Sequence, residues 1–237
     1  MSTFARSIAE NIAEIREQIA VAAIKSGRSA SDITLVAAAK MNGTASVREA
    51  IAAGVDAVGE NRAQEMLEKL GENAYLGAPL HFIGHLQTNK VRDVVGKCNL
   101  IESVGSVRLL DAIAAQSVKL GIVQDVLVEV NIGDEASKSG VAPDELSEIL
   151  DRASALSGVK VRGLMAIPPI SHKNDENCNF FDKMCNLFID IHGKKYDNVS
   201  MHYLSMGMSD SYRAAIEAGA NMVRIGSSIF GARAYNR

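Results

Sequence analysis

Hydrophobic residues recur along this chain in two rhythms. Phe4, Ile8, Ile12, Ile15 and Ile19 stand at helical spacing, with Glu10, Glu14, Arg16 and Glu17 on the opposite face. That pattern predicts an amphipathic helix, ended by Gly27, which covers the main body and carries no chemistry of its own. From residue 33 onward short apolar runs alternate with amphipathic stretches. Ile33–Ala39, Val55–Val58, Leu80–Ile83, Leu100–Val104, Asp125–Asn131, Val159–Ala166, Tyr203–Met206 and Asn221–Ile225 read as buried strands. Helices are predicted over Thr44–Ala53, Asn61–Leu70, Thr88–Val95, Ser106–Leu120, Pro143–Ala155, Phe180–Ile191 and Ser211–Ala218. Ser209 and Asp210 are candidate caps for the last of these. Strands alternating with helices imply a parallel sheet. Eight such units in 237 residues predict closure into a (β/α)8 TIM-type barrel. The expected architecture is α/β, one barrel domain over residues 1–237 with an extra N-terminal amphipathic helix. A doubly wound open sheet is the rival, but no Gly-x-Gly-x-x-Gly follows any strand.

A barrel of this kind works at the C-terminal ends of its strands. Those ends bring forward Lys40, Asn61, His85, Asn131, Met165, Ser205, Met206, Arg224 and Gly226. Lys40 closes an otherwise apolar strand and would face the barrel mouth. A lysine at a strand end is more often simply solvated, but one facing a phosphate site is placed for Schiff-base chemistry. Small residues at Gly226-Ser227-Ser228 let backbone N–H groups approach an anion, and barrels often hold phosphate after their last two strands. The same three residues would also serve a tight turn. Arg224 is always charged and expensive to bury alone. Either it pairs with Glu60, Glu129 or Asp56, or it donates to the ring nitrogen of an aromatic phosphate ligand. His81 and His85 have no second ligand at metal spacing and read as packing and local hydrogen bonds. Ser137-Lys138-Ser139-Gly140 either closes over the mouth or is a solvated loop.

Charge and cysteine content narrow the partners. Lys and Arg number 25 against 28 Asp and Glu, with no basic run, which argues against nucleic acid. No window is long and apolar enough to span a membrane. Cys98, Cys178 and Cys185 are odd in number and lack metal spacing, which fits a reducing, cytoplasmic setting. Acidic residues in the first helix argue against a mitochondrial presequence.

Six stretches, in this order, carry a resemblance. They are Gly59-Glu60-Asn61-Arg62-Ala63-Gln64-Glu65, then His81-Phe82-Ile83-Gly84-His85-Leu86-Gln87-Thr88-Asn89-Lys90, then Val128-Glu129-Val130-Asn131-Ile132 with Ser137-Lys138-Ser139-Gly140. Gly163-Leu164-Met165-Ala166-Ile167-Pro168, Leu204-Ser205-Met206-Gly207-Met208-Ser209-Asp210 and Arg224-Ile225-Gly226-Ser227-Ser228-Ile229-Phe230-Gly231-Ala232-Arg233 follow. Over residues 33–233 the chain resembles the pyridoxal-phosphate homeostasis proteins, single-domain relatives of the alanine racemase barrel. The resemblance implies a protein that binds pyridoxal 5'-phosphate and serves its intracellular storage and supply. It implies that Lys40 carries the cofactor as an imine and that Arg224 faces the pyridine nitrogen. Ser205, the Met206 backbone, Gly226 and Ser227 would hold the phosphate, with Asn61 and Met165 also at the cofactor. The family usually has Ser before this lysine and Thr-Lys-Pro after it. Here the segment is Ala39-Lys40-Met41-Asn42-Gly43, without the second lysine or the proline. The alternative function is a pyridoxal-phosphate-dependent amino-acid racemase or decarboxylase, with a Schiff-base aldolase behind it. Related racemases add a β domain bearing a tyrosine base; none is expected here, and neither Tyr203 nor Tyr235 reads as a base. Expected partners are the cofactor and apoenzymes that use it, with the protein a monomer or weak dimer.

Overall fold

The computed structural model describes residues 6–133, 139–168 and 174–231, the backbone alone at 174–178. Phe4, Ser137, Lys138, Ala232, Arg233, Tyr235 and the Cys178 side chain lie outside the described residues. Eight strands run β1 (Thr34–Ala38), β2 (Ala57–Glu60), β3 (Leu80–Phe82), β4 (Leu100–Val104), β5 (Gln124–Glu129), β6 (Val159–Met165), β7 (Val199–Ser205) and β8 (Met222–Ile225). All neighbours pair in parallel, and β8 returns to β1 through Val36↔Arg224, so the barrel is closed in sequence order. The helices are α1 (Ile8–Lys25), α2 (Thr44–Ala52), α3 (Ala63–Gly71), α4 (Val91–Val94) and α5 (Val107–Leu120). They continue with α6 (Leu146–Ser154), α7 (Asn174–His192), α8 (Tyr212–Glu217) and α9 (Ser227–Phe230).

The strands read as nearly unbroken apolar runs because both of their faces are buried. Val36, Ala57, Leu100, Leu127, Met165 and Met222 fill the barrel interior as one cluster. Leu35, Ala37, Ile101, Val126 and Val128 alternate with them and pack outward against the helices. Strand β7 starts four residues before the predicted run, because Ser200 and His202 break its apolar pattern. The polar opening turns of α7 hide that helix's start in the same way. Pro143 opens a 3₁₀ turn, Pro143–Glu145, and α6 follows it. Helix α8 is capped from Ser211 without a side-chain hydrogen bond. Ser209, expected as a cap, instead accepts from the Ser228 N–H at 3.3 Å and ties the loop after β7 to the loop after β8.

Helix α1 forms where its spacing predicts. A capping box starts it: Glu10 N–H donates to the Ser7 hydroxyl, and the Ser7 N–H to the Glu10 carboxylate at 2.8 Å. Its buried face is Ile12, Ile15, Ile19, Ala22 and Ala23. Each buried isoleucine contributes about 1.5–3 kcal/mol, enough to anchor a helix that stands outside the β/α repeat. Asn11 donates to the Ile229 carbonyl at 2.9 Å and Tyr212 to Gln18, so the helix braces the β8 end of the barrel. No helix among the described residues is long and apolar enough to cross a membrane.

Candidate functional site

Lys40 lies two residues beyond β1, where the chain leaves the barrel. Its backbone is held from both sides. The buried Lys69 ammonium donates to the Ala39 carbonyl at 2.9 Å, and the Met41 N–H donates to Glu65 at 2.7 Å. Lys69 also donates to Glu60 at 2.7 Å and to Glu65 at 2.8 Å, and Tyr75 donates to Glu60 as well. Met41 takes a positive φ of 63°, uncommon for a residue with a side chain and tolerated only where its surroundings over-determine it. Asn42 donates to the Lys40 carbonyl at 3.1 Å. The result is a fixed backbone carrying a free amine: the Lys40 side chain has no hydrogen-bond or ion-pair partner among the described residues.

That amine faces a cavity of about 260 Å³ lined by Ala38, Lys40, Asn61, Ile83, Ile167, Met208, Ser209, Asp210, Arg224, Gly226 and Ser227. Five predicted site residues, Lys40, Asn61, Arg224, Gly226 and Ser227, therefore meet on one wall system. The other three do not line it. Met165 points into the barrel interior among Val36, Ala57 and Leu127. The Met206 N–H is spent on the Met222 carbonyl at 3.1 Å, and its side chain belongs to the outer core. Ser205 is fully buried beneath the cavity, where its hydroxyl donates to Glu102 at 2.6 Å and accepts from Arg224. In their place the loop after β7 presents Met208, Ser209 and Asp210. Ser209 supplies the hydroxyl that the pattern had assigned to helix capping.

Arg224 is only 4% exposed, and its partner is a residue the sequence reading passed over. Glu102, from the middle of β4, sits 3.7 Å from Nη1. Asp56 pairs with Arg16 at 2.9 Å and Glu60 with Lys69, so neither of those candidates serves. Arg224 Nη2 donates to the Ala166 carbonyl at 3.0 Å. Of its five N–H donors, the rest remain for a ligand. Glu102 is the hub of this buried set, accepting from Ser205 and hydrogen-bonded at 2.7 Å to His81 Nδ1. Burial by itself raises a carboxyl pKa, but the His81 bond and charge, Arg224 and Ser205 together hold Glu102 below its ordinary value. Burial lowers the Arg224 pKa, against the pull of Glu102 and Glu129. Glu129, at the end of β5, is raised by burial despite Arg224, and its Oε2 has no hydrogen-bond partner among the described residues. His85 is bonded to Ser139 at 2.8 Å, a local contact as expected.

The chemistry available is a nucleophilic amine, a fixed guanidinium and a set of hydroxyl and backbone donors around one small space. A cavity just below the roughly 300–1,000 Å³ usual for drug-sized ligands suits a single-ring compound. The residues fit pyridoxal phosphate: an amine for its aldehyde, a donor for its ring nitrogen, and Ser209, Gly226 and Ser227 for its phosphate. Among the described residues no group of three His, Cys, Asp or Glu is arranged for a metal ion. A larger cavity of about 580 Å³ opens beside the loop after β3, and among the described residues no lysine lines it.

The alanine racemase N-terminal domain family matches residues 6–234 of this chain. The pyridoxal phosphate homeostasis protein of Aquifex aeolicus is 41% identical over 226 residues, 95% of this chain and 98% of that relative. Its namesake in Escherichia coli K12 is 38% identical over 233 residues, 97% and 98% of the two chains. The solved structure of PipY from Synechococcus elongatus with pyridoxal phosphate bound gives a TM-score of 0.82 at 30% identity, covering 95% of this chain and 100% of that one. This chain belongs to the alanine racemase N-terminal domain family and, within it, to the pyridoxal phosphate homeostasis proteins.

Proposed function

We propose that this protein binds pyridoxal 5'-phosphate through Lys40 and serves the storage and supply of that cofactor rather than its use in turnover. The observation that carries the reading is the Lys40 amine, without a hydrogen-bond or ion-pair partner among the described residues, in one small cavity with Arg224 and Ser227. Relatives named for pyridoxal phosphate homeostasis, and PipY with the cofactor bound, support it. Bound there, pyridoxal phosphate supplies an electrophilic aldehyde on an electron-withdrawing ring. Lys40 holds the aldehyde carbon, and Ser209, Gly226 and Ser227 hold the phosphate. Arg224, donor-only and permanently charged, disfavours a proton on the ring nitrogen. Apoenzymes that need the cofactor are the partners this role implies.

Borohydride reduction of the loaded protein followed by peptide mapping will put the adduct on the peptide containing Lys40. An adduct on any other lysine rejects the assignment. Lys40→Ala loses the covalent bond but keeps phosphate-dependent affinity, since the anion contacts come from other strands.

Ser227→Asp will weaken binding more than Ser227→Ala. The alanine removes one donor, a net effect of about 0.5–1.5 kcal/mol. The aspartate adds a negative charge beside a phosphate dianion. Equal losses in a cofactor titration would show that Ser227 is not at the phosphate.

Turnover needs a proton carrier on the open face of the substrate, and general acid–base assistance is typically worth on the order of 10²–10⁴-fold. Incubating the loaded protein with L-amino acids in deuterated water is expected to show Cα exchange near that of free cofactor. Fast exchange abolished by Lys40→Ala would promote a racemase or decarboxylase instead.

A further inference from the structure

The larger cavity lies at the same end of the barrel, next to the Lys40 site and walled from it by the loop after β3. Ile83 lines one cavity and His85 the other. Between them Gly84 is pressed against Asn61, where a Cβ would sit 2.1 Å from the Asn61 carbonyl oxygen. The two spaces are therefore separate compartments.

We propose that this second cavity is an anion site, suited to the phosphate monoester of a small molecule. Helix α5, fourteen residues long, begins in its wall. Ser106 caps that helix by accepting from the Leu109 N–H at 3.2 Å, which leaves the Val107 and Arg108 N–H groups without intrahelical acceptors at the positive end of the helix. Arg108 lines the same wall and has no ion-pair partner among the described residues.

Ser103 is the independent sign of a ligand. It is 2% exposed, it lines the cavity, and its hydroxyl has no hydrogen-bond partner among the described residues. Buried polar groups are ordinarily satisfied, and here a bound acceptor would do it. The side-chain amides of Gln87 and Asn89 add donors from the loop after β3. Among the described residues no Asp or Glu lines the cavity. Glu129 stands behind Gly105, its Oε2 3.7 Å from where a Cβ on that glycine would sit, and burial raises its pKa, so it repels an anion less.

The donor set selects the class. A carboxylate has about four lone-pair sites on two oxygens. A phosphate monoester brings three terminal oxygens, which matches converging N–H, hydroxyl and guanidinium donors better. The cavity also exceeds the needs of a bare ion at about 580 Å³, leaving room for an organic portion. Gly105 keeps the wall thin: a Cβ there would stand 2.8 Å from the Gly140 nitrogen and displace the loop after β5.

The test uses protein first loaded with pyridoxal phosphate, checked by its absorption band, so that the Lys40 cavity is occupied. Glycerol 3-phosphate, inorganic phosphate and succinate are then titrated separately while the backbone amides of Val107, Arg108 and Leu109 are followed by NMR. Failure to load would count against the Lys40 reading, whereas the α5 amides report on this site alone. Glycerol 3-phosphate is expected to shift them saturably and more tightly than succinate. Arg108→Ala will weaken it by about 10-fold or more, and Ser103→Ala by about 2- to 10-fold. Both variants leave the fold intact, because neither the Ser103 hydroxyl nor the Arg108 guanidinium has a hydrogen-bond or ion-pair partner among the described residues to orphan. Shifts that do not saturate, wild-type affinity in either variant, or succinate binding as tightly as the monoester would overturn the proposal.

Discussion

A Glu102→Gln variant is expected to lose about 3–5 kcal/mol of unfolding free energy at pH 7, because it leaves the Arg224 guanidinium buried without the carboxylate beside it. Glutamine keeps the shape, so a cavity contributes nothing. It keeps an acceptor for either Ser205 or His81, but not the charge. The pH dependence separates this cause from a packing defect. The folded pKa of Glu102 lies below its ordinary value of 4.5. Between the two values the unfolded chain binds more protons than the folded one, so stability rises with pH across that interval. The contribution is complete above 4.5 and is lost as the pH falls through the folded value. The gap between parent and variant therefore narrows toward acid. Urea unfolding at pH 7 and at about pH 3 measures it. A difference within about 0.5 kcal/mol at pH 7, as for an ordinary surface substitution, or one that does not change with pH, would reject the countercharge role.

Glu102 also shows what the sequence could and could not disclose. Its strand, Leu100-Ile101-Glu102-Ser103-Val104, carries a carboxylate in an apolar run, and strand alternation puts it on the same inward face as Leu100. That signal was present and sufficient to name an interior acid. The pairing with Arg224 was not, because β4 and β8 stand on opposite sides of the barrel and only closure brings their side chains together. The barrel itself was readable from eight alternating runs, and so was the placement of Lys40, Arg224, Gly226 and Ser227 at strand ends, which follows from topology alone and brings them to one cavity. Ser205 and Met206 also stand at a strand end, but neither lines the cavity. Strand β7 ends at Ser205, so the cavity-facing atoms come three to four residues later, at Met208 and Ser209. Lys69 gave no warning at all. On a helix beside Glu65 it reads as a solvated i,i+4 pair, and only the approach of α3 to β2 buries it.

That buried lysine carries the second large effect. Lys69→Met removes a group that is 6% exposed and donates three hydrogen bonds, to Ala39, Glu60 and Glu65. Methionine fills a similar volume, so the damage is electrostatic. Glu60 is fully buried, already raised in pKa by burial with Lys69 opposing the rise, and would be left as an uncompensated charge at neutral pH. Breaking such a pair from one side costs about 3–5 kcal/mol. The same change frees the Ala39 carbonyl and slackens Glu65, which holds the Met41 N–H, so the backbone on both sides of Lys40 loses its support. Cofactor affinity is expected to fall by about 10-fold, or 1.4 kcal/mol, even though Lys69 lines no part of the cavity. The pair Lys69→Met with Glu60→Gln discriminates the two consequences. Neutralising Glu60 removes the stranded charge, so unfolding free energy recovers by more than half. Affinity does not recover, because the Ala39 carbonyl still lacks its donor. Denaturation and cofactor titration on the parent, both single variants and the double variant close the cycle. Affinity that returns together with stability would mean that Lys69 acts on the fold as a whole and has no specific hold on the Lys40 segment.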